Sequence, residues 1–369
     1  MTTSPNIEGT ILFIDRMTPS QPSRPQRSPV EVWYLAQNFL LSETSLYVFK
    51  RVLQAILTLF LASIFSFFVI QLSPGDFLDL YRQNPQVSPE TIQQLEEQFG
   101  LNRPVWEQYF RWLWQVVSRF NFGTSFAYQR PVAAVLWERI PNTLLLSVSS
   151  IIVTWAIAIP LGIVGAVKQN RFIDQFLRVV SYLGQGIPTL ITGLLLLFFA
   201  QITAPLFPIG GITSINHEDL NWLGKMLDVA WHLVLPTLAL SVTSYAGLQR
   251  IMRGQLLDVL RQDYIRTARA KGLPENRVIY VHAVRNAMNP MITLLGFEFA
   301  NILAGAFITE NYFNWPGLGR LILQAVQAQD LYLVMASLMM GAVILIVGNL
   351  LADIALTFVD PRIRLSEMN

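Results

Sequence analysis

The sequence predicts an all-α polytopic membrane protein with six transmembrane helices and a small helical insertion outside the bilayer. Three observations carry this. The 369-residue chain is 53% hydrophobic and only 14% charged, whereas soluble domains average about 25% charged. Apolar runs recur at lengths that cross about 30 Å of hydrocarbon. Finally, a polar and basic island from about Arg253 to Pro290 interrupts those runs.

In chain order, residues 1–49 read as a cytoplasmic tail. Pro5, Pro19, Pro22, Pro25 and Pro29 stand among Ser, Thr and Gln, a composition that cannot bury a core. Ile11–Ile14 is too short for the apolar region of a signal peptide, and Asp15 interrupts it. From Val30 to Phe49 the chain is aromatic and partly apolar, as in a helix lying against the membrane. Residues 50–364 form the six-span domain, and 365–369 a short cytoplasmic tail.

Val52–Leu72 is the first span, ending in a proline-glycine turn, Leu72–Asp76. An external insertion follows over about 77–139. Ser88-Pro89-Glu90 starts a helix with Ile92, Leu95 and Phe99 on one face and Gly100 as its stop. Pro104 opens a second, with Val105, Tyr109, Trp112, Val116 and Phe120 on one stripe. Trp106, Phe110 and Trp114 add rings suited to the headgroup region. Thr143–Ala166, after Ile140-Pro141-Asn142, is the second span, with Pro160 and Gly162 permitting a kink. The third, Val179–Leu206, is broken at Gly184-Gln185-Gly186-Ile187-Pro188, which requires cover from protein or a watery cavity. Val234–Ile251, Met291–Ile308 and Leu333–Phe358 complete the six, and Asn314–Gly319 is a tight external turn.

The island, about 253–290, reads as a helix-turn-helix. Leu256, Leu260, Tyr264 and Ala268 recur every four residues on one stripe, with Asp258, Gln262, Arg266 and Arg269 on the other side. Gly272 stands where a helix ends, Pro274 where the next begins, and Glu275 in its first turn. The compact tip, Lys271–Pro274, is thereby offered to something outside the bilayer.

Several chemistries are excluded. With no cysteine there are no disulfides, thiolate metal sites or cysteine nucleophiles. His217, His232 and His282 are too scattered for a helical metal pair. Gly224-Lys225 leads into Met226 and lacks a phosphate loop. No cofactor site or catalytic residue is expected in this chain, and a net charge of +2 does not suggest a nucleic-acid partner. Most of the 26 Lys and Arg residues fall in the pieces that are cytoplasmic if the amino terminus is inside. The positive-inside rule therefore places both termini and the tip in the cytoplasm.

The run YIRTARAKG (Tyr264–Gly272), followed by HAVRNAMNP (His282–Pro290), resembles the cytoplasmic EAA loop of ABC importer permease subunits. Counting back from Gly272, Arg266, Thr267 and Ala268 occupy the motif, and His282, Ala283, Val284 and Arg285 lie further on. Departures at the acidic position and the proline are typical of the dipeptide, oligopeptide and nickel branch. LSPGD after the first span, Asn314–Gly319 and Asp360–Arg364 are similar to that branch too, so the resemblance covers about Val48 to Arg364. It implies the six-helix type I importer architecture in the cytoplasmic (inner) membrane. It also implies a second permease subunit, two ATPase subunits that bind ATP and Mg, and an external substrate-binding protein. Tyr264, Arg266, Thr267, Ala268, Lys271, Gly272, Leu273 and Pro274 become the expected ATPase-coupling residues. The function implied is import of di- or oligopeptides, without catalysis by this chain. An ion-gradient-driven secondary transporter would explain the broken helices but not the tip.

For the translocation path, the candidates are Gln185, Pro188, Glu298, Asn301 and Thr309. Glu298, Asn301, Gly305 and Thr309 follow at helical spacing, with the small residues Gly296, Ala300 and Ala304 roughly opposite, suited to close packing. An acidic group within a span costs on the order of 2.5–3.5 kcal/mol and should face the bundle interior or water. Glu298 is expected to line the path and favour a cationic group such as a peptide's amino terminus. A purely structural role for it stands as the alternative.

Overall fold

A computed structural model describes residues 43–72, 75, 77–83 and 86–359. The proline-rich tail, most of Val30–Phe49, Ser73, Pro74 and Asp76 of the first turn, and Asp360–Arg364 lie outside these. The chain divides into Met1–Phe49 and Lys50–Asn369. In the first unit, the described residues 43–49 are helical.

The described residues form helices without strands: α1 (Glu43–Gln71), α2 (Asp79–Arg82), α3 (Pro89–Phe99), α4 (Val105–Arg119), α5 (Val132–Val167), α6 (Phe172–Gly186) and α7 (Thr189–Ile202). Then come α8 (Trp222–Leu260), α9 (Asp263–Ala270), α10 (Glu275–Arg277), a π-helical stretch at Val278–Ala283, α11 (Val284–Tyr312), α12 (Leu318–Gln327) and α13 (Leu331–Val359). Phe49–Gln71, α5, α8 and Leu331–Leu351 are long and apolar enough to cross a membrane. Two bent pairs bring the number to six if each is one span: α6 with α7, bent by 100°, and Glu275–Leu295 with Phe297–Tyr312, bent by 45°.

Several helices outrun their expected bounds. Helix α5 has 36 residues and runs unbroken through Pro141 and Pro160, so Ile140-Pro141-Asn142 does not start it. Neighbouring helices and local adjustments satisfy the groups a proline frees. At 39 residues, α8 spans about 58 Å and extends well beyond the expected Val234–Ile251.

The insertion folds nearly as its pattern requires. Ser88 Oγ accepts from the Thr91 N–H at the start of α3, and Gly100 ends it at φ +69°. On α4 the inward face is Gln108, Tyr109, Trp112 and Val116. Val105 and Phe120 leave the expected stripe: Phe120 is 81% exposed because it turns to φ +51° at the helix end. Trp106, Phe110 and Trp114 point away from the protein.

Two large cores stabilise opposite halves. One gathers Phe67, Phe99, Trp112, Phe126, Leu136, Leu321 and Val334 from α1, the insertion, α5, α12 and α13. The other joins Ile163, Met252, Leu256, Ile265, Ala268, Val278 and Met291, seating the island on α5 and α8. Of the expected small stripe, Ala300 is half-buried and Ala304 exposed. Close approach is seen at Gly305, where a Cβ would stand 3.0 Å from Leu240, and at Gly348, which seats the Phe299 ring.

Candidate functional site

At the island, α8 ends at Leu260 and α9 restarts at Asp263. This break rephases the helix, so the expected stripe is corrected. Leu256, Ile265 and Ala268 are buried, while Tyr264 is 46% exposed. Arg266, Thr267, Lys271, Gly272 and Pro274 are exposed, and Leu273 is half-buried against the same core as Ile265. Gly272 adopts φ +78°, and a Cβ added there would meet nothing within 4 Å, so its backbone angle, not lack of space, demands glycine. Across the turn, Arg269 grips Glu275 through Nη2–Oε1 at 2.7 Å and Nε–Oε2 at 3.1 Å. That pair is surface-exposed and holds the Arg269 guanidinium above its ordinary pKa.

Behind the tip sits a stronger clamp that the sequence does not single out. Asp174, at the start of α6, is fully buried. It receives Arg253 Nε at 2.6 Å and Nη2 at 2.8 Å, and the Asn170 N–H at 2.9 Å. Ser181 Oγ donates to Gln249 Oε1 at 2.7 Å further along the same helix pair. A Cβ at Gly165 would stand 3.4 Å from Arg253 Cδ and 3.5 Å from Asp174 Oδ1. Helices α6 and α8 are thus joined by a forked ion pair behind the tip.

Helix α6 then leads to the second place of interest. At the α6–α7 break, a cavity of about 250 Å³ is lined by Gln185, Thr189, Thr243, Ser244, Glu298 and Asn301, among others. Glu298 is half-buried, and its Oε2 is buried without a hydrogen-bond partner; Ser244 lines the same cavity. Gln185, Glu298 and Asn301 are therefore brought together. Pro188, at the break itself, precedes α7. Thr309 is 3% exposed and does not line this cavity; it sits beside the Phe313 turn, its carbonyl accepting from the Phe313 N–H.

Two further carboxylates hold the opposite end. Glu310 is fully buried, taking the Thr143 hydroxyl at 2.6 Å and the Arg320 N–H at 3.1 Å. Thr143 Oγ1 in turn accepts from the Leu318 N–H at 2.7 Å. Glu310 and Thr143 together cap the first turn of α12, whose amide groups would otherwise be orphaned. Gly317 and Gly319 are required there because a Cβ would strike the Glu310 carboxylate or the α11 backbone. Asp330 caps α13 through the Leu333 N–H at 3.1 Å and binds Ser125 Oγ at 2.6 Å and the Ala127 N–H at 3.0 Å. Burial pushes the Asp330 carboxyl above the usual range, against the pull of these donors. His217 and His232 both meet Asp228, at 2.7 and 3.3 Å. Among the described residues no group of three or more His, Asp or Glu is placed to hold a metal.

These features define a class: an all-helical, multi-pass membrane protein with a polar cavity at a broken helix and a compact charged tip clamped to the same helices. Sequence comparison specifies it further. The profile of binding-protein-dependent transport system inner membrane components matches residues 158–365, and that of the amino-terminal membrane component of such systems matches 45–147. The chain belongs to this family of ABC importer permeases, which are membrane-spanning transport subunits rather than enzymes. It is 39% identical over 318 residues to the oligopeptide transport system permease protein AppB of Bacillus subtilis, covering 86% of this chain and 98% of that one. With the dipeptide transport system permease protein DppB of Escherichia coli K12 it shares 34% over 334 residues, again 86% and 98%. A putative peptide permease protein of Brucella suis is 36% identical over 323 residues, 87% and 99%. Membership of a binding-protein-dependent system implies an ATPase and a solute-binding protein as partners.

Proposed function

We propose that this chain is the permease subunit of an ATP-driven importer of di- or oligopeptides, forming half of the translocation path beside a second, similar permease subunit. The observation that carries the reading is the match to peptide-system permeases over 86% of the chain. In this reading each bent helix pair is one span, giving six, with both termini cytoplasmic. The surface from Tyr264 to Pro274 is the contact with one of two ATPase subunits, which bind ATP and Mg. The insertion over about 77–139 faces the opposite side, where a binding protein delivers the peptide, and the outward rings of α4 rest among lipid headgroups.

The geometry supports a route for coupling. ATP-driven movement of the tip is carried by Ile265 and Ala268 into α8, and by Arg253 and Asp174 into α6. Helix α6 carries Gln185 at the edge of the cavity, and the Gly186–Pro188 break lets this wall turn against α7. The complex reconstituted with its ATPases and binding protein should show peptide uptake that needs ATP hydrolysis. Uptake driven by an ion gradient without ATPase subunits would establish the secondary-transporter reading instead. Orientation is tested separately on this cysteine-free chain: a cysteine at Gln93 should be labelled from outside, and one at Asn276 only from inside. Labelling of both from one side overturns the topology.

A further inference from the structure

Three places in the molecule hold chemistry that the permease scaffold does not require: the His217–Asp228–His232 cluster, the ring-bearing face of α4, and the cavity at Glu298. The cavity combines an unpartnered charged group, open space and a position at a helix break. It carries the inference furthest.

A carboxylate within a span needs a counter-charge or donors. Its buried Oε2 is left without a partner, and the Ser244 hydroxyl lines the same cavity. Among the described residues that line the cavity there is no Lys, Arg or His, so these provide no fixed cation. They offer acceptors instead. Thr189 and Thr243 hydroxyls lie 3.2 Å apart, so one can donate to the other while lone pairs remain free. Gln185 and Asn301 contribute amide carbonyls and are exposed on the cavity side of the break. A primary ammonium group carries three donors and no acceptor. It matches one carboxylate oxygen with hydroxyl and carbonyl oxygens around it. An anionic or purely apolar group would leave the Glu298 carboxylate on the cavity wall without a counter-charge.

Size narrows the ligand. At about 250 Å³ the cavity falls below the roughly 300–1,000 Å³ of pockets that enclose a whole small molecule. It has room for one end of a chain. The two bends, 100° between α6 and α7 and 45° between Glu275–Leu295 and Phe297–Tyr312, lie at Gln185 and near Glu298. Movement at either bend alters the spacing of the cavity walls, so a group held there can be released.

Resting on the reading of this chain as a peptide permease, we propose that Glu298 and the surrounding oxygens form a transient subsite for the primary ammonium group at the amino end of the peptide. Glu298 acts as a specificity-determining residue of the path, not as a structural tie between helices.

The absence of native cysteine allows a direct test. In the full chain within its reconstituted complex, Asn301→Cys is reacted with a cationic and an anionic methanethiosulfonate reagent of similar size. The rates are normalised to those of free cysteine. With Glu298 present, the cationic reagent should be favoured by about tenfold or more. Glu298→Asp should retain the preference, and Glu298→Gln should reduce it to within about threefold. A free-amino dipeptide should slow cationic labelling, and its N-acetyl analogue should not. A charge preference unmoved by Glu298→Gln, absence of labelling by either reagent, or equal protection by both peptides or by neither overturns the subsite. Failure of the permease reading looks different: no ATP-driven uptake by the wild-type complex, whatever the labelling ratio.

Discussion

The two ends of this bundle are held by opposite means. At the end carrying α12 and the insertion, buried carboxylates do the holding. Glu310 and Asp330 are both fully buried, and each gathers donors from distant parts of the chain. At the end carrying α9, the buried anion is Asp174, set back from the tip, while the tip's own ion pairs are exposed: Arg269–Glu275 at 42% and 55%, Arg266–Asp263 at 72% and 95%. Exposed pairs of this kind contribute about 0–1 kcal/mol, whereas stranding several buried donors costs about 1–3 kcal/mol each. One end is therefore fixed from within. The other is a firm handle with a tip whose surface is free to be shaped by a partner.

The sharpest way to break this contrast is Glu310→Ala. It strands the Thr143 hydroxyl and the α12 amides, and should lower stability by about 3 kcal/mol or more. Thermal unfolding in detergent and the yield of folded protein report it. Asp330→Asn comes next, at about 1–3 kcal/mol, because an amide cannot accept at both positions where the carboxylate does. It also tests a sign. Burial raises the folded pKa of Asp330, so its titration favours the fold below the unfolded pKa, and this contribution is lost as pH rises through the folded value. Asp330→Asn should flatten that slope in pH-dependent melting.

Arg253→Lys keeps the charge but loses the fork, and should cost about 1–2 kcal/mol. Uptake per ATP hydrolysed should fall while the ATPase stays bound; unchanged coupling would remove the clamp from the route. The smallest global effect is expected for Gly272→Val, whose strain of about 1–2 kcal/mol is confined to an open turn. Melting should barely move, yet ATP-driven uptake should drop. A melting shift as large as that of Glu310→Ala would end the distinction between the two ends, and normal uptake would remove the tip from coupling.

Much of this contrast is visible in sequence only on one side. The tip is built from near neighbours: Gly272 as a stop, Pro274 as a start and Glu275 within reach of Arg269. Short-range pattern reads such features well. The carboxylate clamps are not local. Thr143 and Glu310 are 167 residues apart, and Ser125 and Asp330 are 205 apart, so no spacing rule pairs them. The existence of the apolar helices is legible from their length, whereas the start of α5 is not, because a proline inside a membrane helix does not have to break it. At the cavity, helical spacing correctly links Glu298 and Asn301. It also draws in Thr309, which faces the packed turn because a helix that bends and packs on several neighbours does not keep one face toward one space.

The π-helical stretch at Val278–Ala283 has a consequence for phase. A wide turn takes up one residue more than an α-turn, which advances the face of everything downstream by about 100°. Along the chain, the tip at Lys271–Pro274 and Glu298 lie on opposite sides of that slip. A helical wheel continued from α10 through α11 would therefore send Glu298 toward the wrong neighbour. Val278 and Ala283 of the wide turn share a core with Ile265 and Ala268, so the seat of the tip and the azimuth of Glu298 are set by one and the same packing.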